Sequence, residues 1–86
     1  MQITTTKQFD KQFKKQPLKI QKEFAKRIEL FILDIYNPLL STHKLSGKLK
    51  SRWSFNVSGD IRVVFDKDSN ETIILIAIGS HSELYS

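Results

Sequence analysis

The chain of 86 residues contains no cysteine, which excludes a disulfide framework and any thiolate-ligated metal centre. It has no apolar run near the about 20 residues needed to cross a bilayer as a helix. Met1 to Thr6 lacks the apolar core of a secretory signal. The expectation is a soluble, cytoplasmic protein without membrane attachment. Proline occurs only at positions 17 and 38, and glycine only at 47, 59 and 79, so each punctuates the chain at a definite place. With no repeat, linker or low-complexity stretch, residues 1–86 are expected to form one small domain around one core. Acids are scarce too, 9 against 14 Lys and Arg, for a net charge of +5. The excess sits in residues 1–50, which hold 11 Lys and Arg against 4 acids, whereas residues 51–86 hold 3 against 5. Such a basic half suits a polyanion or an acidic protein as partner, or simply a solvated helix surface.

Residues 2–5 are β-prone and short. Thr6 is a fair N-cap for a first helix carrying Phe9 and Phe13, and Pro17 suits the first turn of a second. Ile20, Phe24, Ile28, Phe31 and Ile35 then recur at helical spacing, with Lys19, Lys22, Lys26 and Arg27 largely off that stripe; Asn37-Pro38 should stop the helix. After a loop the period becomes alternating. Trp53, Phe55 and Val57 point one way and Ser54 and Asn56 the other. Ser58-Gly59 turns the chain into a strand over 61–65, the polar run 66–71 turns it again, and residues 72–79 read as a central strand covered on both faces. The order β-α-α-β-β-β predicts an α+β fold, two N-terminal helices packed on a twisted, mainly antiparallel sheet of about four strands. The other sheet face should be partly open, where Asn56, Arg62 and the residues after the last strand converge.

Chemistry is concentrated in a few side chains. His81 follows Gly79-Ser80 at the end of the most apolar strand, where an imidazole with a pKa near working pH serves as a general acid or base. His43 leads a basic segment with Lys44, Lys48 and Lys50 that suits a phosphate, or is a solvated connection. Asp60 is an ordinary turn residue or a proton carrier. Arg62, inside Ile-Arg-Val-Val-Phe, needs a partner, and Asp60 or a bound phosphate would each serve. Asp66, Asp68 and Asn70 open like a calcium loop, but Glu71 stands where that loop needs glycine and Ala77 where it needs glutamate, so a hairpin turn is expected. His43, Asp60 and His81 lack the close spacing of zinc ligands. Neither metal nor cofactor is expected.

The ordered set of His43-x-Leu45-x-Gly47, Trp53, Gly59-Asp60-Ile61-Arg62-Val63-Val64-Phe65 and Gly79-Ser80-His81-Ser82-Glu83-Leu84-Tyr85 resembles the RelE/ParE superfamily of bacterial type II toxins over nearly the whole chain, and most of all its YafQ branch. The resemblance implies a ribosome-dependent, metal-independent mRNA endonuclease that cuts codons in the ribosomal A site. It implies His43, Asp60 and His81 as catalytic residues and Arg62 on the scissile phosphate. Lys44, Lys48, Lys50 and Asn56 would meet the substrate, and Tyr85 would offer a stacking platform for a base. Asn56 departs from the branch, which has a histidine there, and an amide cannot exchange a proton near neutral pH. The implied partners are mRNA, ribosomal RNA against the basic helices, and a cognate antitoxin. Two other functions fit the same resemblance: poisoning of DNA gyrase, as in ParE-type proteins, and RNA or ribosome binding with weak or lost catalysis.

Overall fold

The computed structural model describes residues 1–45, 52–68 and 72–85. Strand β1 (Gln2–Thr5) leads into helix α1 (Lys7–Lys14) and helix α2 (Leu18–Leu33). A single 3₁₀ turn, Pro38–Leu40, precedes strands β2 (His43–Lys44), β3 (Arg52–Ser58), β4 (Ile61–Lys67) and β5 (Thr72–Ser80), and helix α3 (His81–Tyr85) closes the chain. The α+β architecture is as expected, but the sheet has five strands rather than four, in the order β1-β5-β4-β3-β2. The additional strand is the two-residue β2, in a stretch that reads as loop because its own residues, His43 and Lys44, are polar and it forms only by pairing with β3. One pair, β1 with β5, is parallel and the others are antiparallel.

Thr6 caps α1, its Oγ1 accepting from Phe9 N at 3.0 Å, and the same hydroxyl donates to Ile76 O at 2.8 Å. One side chain thus fixes both the start of α1 and its position against β5. Where β1 ends, Thr6 N donates to Leu75 O and Gln12 Oε1 accepts from Ile78 N at 2.9 Å, so α1 covers the edge of β5 that β1 leaves open. Phe9 is buried against Phe13 and Phe24, which lock α1 to α2. Pro17 stands just before α2 as its N-cap residue. The apolar stripe of α2 packs on the sheet through Phe31, wholly buried 4.8 Å from Phe55 and 5.1 Å from Phe65 between ring centroids. The helix ends at Leu33, before the expected Asn37-Pro38 stop, because Asp34 turns extended and its Oδ1 accepts from Tyr36 N in a local turn that competes with helix. Ile35 lies past the helix yet still packs against the core.

The 72–79 segment is not covered on both sides: Ile73, Leu75 and Ile78 are buried while Thr72, Ile74 and Ile76 are half-exposed. The break in alternation is a β-bulge. Val64 pairs with Ala77 and Phe65 with Leu75, leaving Ile76 as the extra residue on β5. Past the bulge the parity reverses, so Ile78 faces the helices and Gly79 faces the open side. Among the described residues no helix is long and apolar enough to cross a membrane.

Candidate active site

Registered partners in neighbouring strands share a sheet face. His43, Ser54, Val64 and Ala77 therefore form one row on the face away from the helices, and Asn56, Arg62 and Gly79 form the next. Past that row Ile61 pairs with Ser80. Asp60 precedes Ile61 and His81 follows Ser80, so in this antiparallel pair both leave the sheet at the same end. The structure thus brings His43, Asn56, Arg62, Asp60 and His81 to one end of one face. Lys44 is not among them: it pairs with Trp53 and alternates to the helix side. Lys48 and Lys50 lie outside the described residues.

Among the described residues three buried polar atoms have no hydrogen-bond partner: Asn56 Oδ1, Arg62 Nε and Tyr85 Oη. Buried polar groups are normally paired, so each of these atoms has capacity for a further partner. Asp60 does not neutralise Arg62; the ion pairs among the described residues are Arg27 with Glu23 and Arg52 with Asp66. The first also takes Arg27 out of the free basic surface, since its Nη1 donates to Leu39 O. The second engages Asp66, and Asp68 N donates to Thr72 O as a hairpin requires.

Helix α3 exists because Ser80 and Glu83 form a reciprocal cap. Glu83 Oε1 accepts from Ser80 N at 2.8 Å, and Ser80 Oγ accepts from Glu83 N at 3.2 Å. The Ser80 backbone bond first, then its hydroxyl, hold the Glu83 carboxyl below its ordinary pKa. Gly79 gives the helix room: a Cβ there would lie 3.1 Å from Glu83 Oε1 and 3.4 Å from Leu84 Cδ2. Docked in this way, α3 holds exposed His81 with its ring centroid 4.6 Å from that of Tyr85 in an edge-on arrangement, so His81 already occupies one side of the Tyr85 ring. The sequence signal for α3 was present as Ser-x-x-Glu, but five residues are too few to show a period. Nothing in the sequence marks Ser54 as part of the site. It is wholly buried beside His43, with its Oγ 3.5 Å from His43 Nε2.

No group of three or more His, Cys, Asp or Glu side chains suited to a metal ion occurs among the described residues. A basic helical layer on one side of the sheet and, on the other, a face carrying an arginine and two imidazoles make up this α+β protein. A family model described as a bacterial toxin of type II toxin-antitoxin system, YafQ, matches residues 1–86. The chain belongs to this YafQ family, within the RelE/ParE superfamily. Among similar solved structures is a metal-bound toxin from Helicobacter pylori, 30% identical, with 99% of each chain covered and a TM-score of 0.71. YafQ from E. coli strain BL21(DE3) is 17% identical over 98% of this chain and 97% of that one, with a TM-score of 0.78. YafQ in the E. coli DinJ-YafQ complex is 15% identical over 98% and 97%, with a TM-score of 0.71. Comparison of the sequence with curated proteins gave no match.

Proposed function

We propose that this toxin is a ribosome-dependent, metal-independent endoribonuclease that cuts mRNA in the ribosomal A site. The observation that carries the reading is the unpartnered, buried Arg62 Nε beside Asn56, on the face and at the end where His43, Asp60 and His81 gather. His43 or Asp60 takes the proton from a 2′-hydroxyl, and the oxygen attacks the adjacent phosphorus. The bond to the 5′-oxygen breaks, and His81 protonates that leaving group. Arg62 meets the charge that builds on the phosphoryl oxygens, with Lys48 and Lys50 as further phosphate ligands. Tyr85 buttresses His81 and offers the remaining face of its ring to a base.

A groove of about 650 Å³ runs along α1, lined by Lys7, Lys11, Lys14 and Lys15 together with Gln8, Asp10 and Gln12. These exposed lysines support contact with ribosomal RNA. Membership in a type II toxin family, and the existence of an E. coli DinJ-YafQ complex, support a cognate antitoxin; on this reading it covers the basic surface and silences the protein in the cytoplasm.

The test is primer-extension mapping of a reporter mRNA in cell-free translation, with wild type, His81→Ala, a naked-RNA control, and a variant with Lys7, Lys11, Lys14 and Lys15, in and just after α1, changed to glutamine. Cuts within codons that need translating ribosomes and vanish with His81→Ala are expected, and the lysine variant should sediment with ribosomes less and with a weaker dependence on salt. An intact message with wild-type protein would overturn the nuclease reading, and unchanged ribosome binding would remove the role of these lysines.

A further inference from the structure

The proposed mechanism has two candidates for the base, and the contacts of the His43 ring bear on one of them. His43 Nδ1 lies 2.9 Å from the carbonyl oxygen of Ser41. A carbonyl oxygen only accepts, so Nδ1 carries the proton of that bond. The neutral ring then has its lone pair on Nε2, which lies on the open face 3.5 Å from Ser54 Oγ. In free neutral histidine the proton prefers Nε2, so the Ser41 carbonyl imposes the less common tautomer.

The carbonyl is aimed by an unusual backbone. Ser41 has φ 48° and ψ 44°, in the left-handed region, and among the described residues no other non-glycine has positive φ. A residue with a Cβ stays there only where its surroundings over-determine it. Here Ser41 N donates to Pro38 O at 3.3 Å, Thr42 Oγ1 donates to Ile35 O, and Arg27 Nη1 donates to Leu39 O, so the chain is clamped on both sides of the turn. Ser54 Oγ is buried, and its hydroxyl can donate to Nε2 of the neutral ring or accept from Nε2–H of the cation.

We propose that the left-handed turn at Ser41 is a positioning device that holds His43 in the Nδ1–H tautomer and so makes its Nε2 the general base, with Ser54 as the hydroxyl that follows the transferred proton. The role as base rests on the nuclease reading; the tautomer is a property of the free protein. Both are read in one set of experiments. Long-range ¹H–¹⁵N correlation spectra at alkaline pH, where imidazoles are neutral, report which ring nitrogen is protonated, with His43 told from His81 by His81→Gln.

The wild-type ring should show Nδ1–H. Ser41→Gly, which adopts positive φ freely, should keep it. Ser41→Pro, whose ring fixes φ near about −65°, should lose it, and ribosome-dependent cleavage should fall about 100-fold in kcat while the glycine variant cleaves normally. Ser54→Ala should keep the tautomer and lower kcat. A wild-type ring protonated on Nε2 overturns the proposal whatever the activity, and that spectrum decides even if the proline variant does not fold. An Nδ1–H signal that persists in folded Ser41→Pro overturns the role of the turn. The expected tautomer together with full cleavage by His43→Ala overturns the assignment as base, whereas the expected tautomer with no cleavage by wild type overturns the nuclease reading and leaves the positioning of the ring intact.

Discussion

At the scale of single residues, Arg62 holds a cation in mid-strand with no ion-pair partner among the described residues. Among the described residues its Nε is buried without a partner and so is Asn56 Oδ1 across the strand pair, an arrangement that costs stability. Replacing Arg62 by leucine is therefore expected to leave urea stability unchanged or raised by up to about 1 kcal/mol. The same change should lower mRNA cleavage by about 100-fold or more. A loss of more than about 2 kcal/mol in the denaturation curve would mean that Arg62 serves the fold rather than the substrate. Arg62 was legible in the sequence because a charge interrupting Ile-Arg-Val-Val-Phe demands an explanation. Ser54 was not legible, since a serine in an alternating strand reads as surface, and only its pairing with His43 across β2 and β3 shows it to be buried. Lys44 shows the converse: adjacent to His43 in sequence, it alternates to the opposite face.

In the proposed mechanism the deciding element is α3, and its anchor is one carboxylate. Glu83 is held below its ordinary pKa by the Ser80 N–H and hydroxyl. With the folded value depressed, the cap's contribution is fully present above the unfolded glutamate value of about 4.3 and is lost as pH falls through the lower folded value. The docked position of His81 should accordingly be insensitive to pH in the neutral range and loosen in acid. In ¹H–¹⁵N spectra the Ser80 amide should shift in step with Glu83 protonation, and Glu83→Gln should abolish that step while keeping α3 capped. A Ser80 resonance that stays flat as Glu83 titrates would show that the cap is not formed in solution. The longer helices were legible from Thr6, Pro17 and the spacing of Phe24, Ile28 and Phe31. The early end of α2 was not, because an Asx turn at Asp34 competes with helix through one side-chain bond that periodicity does not weigh.

At the scale of the whole molecule, the helical layer and the site lie on opposite faces of one sheet, and Phe31 joins them through Phe55 and Phe65. Phe31→Ala opens a cavity in the centre of the core and should cost about 3–5 kcal/mol in urea denaturation, a large part of the about 5–15 kcal/mol available to a domain of this kind. A change under about 1 kcal/mol would show that α2 is not seated on the sheet as described. Basic helices, the α+β class, the apolar stripe, the turn at Gly59 and the choice of candidate site residues followed from the sequence itself, because each rests on local spacing, composition or a single side chain out of keeping with its neighbours. The parallel pairing of β1 with β5, the short β2 and the bulge at Ile76 are decided only in three dimensions. They depend on backbone partners far apart in the chain, which leave no local periodicity. It is the bulge, by reversing the parity of β5, that puts Gly79 on the same face as Arg62 and brings the start of α3 to the candidate site.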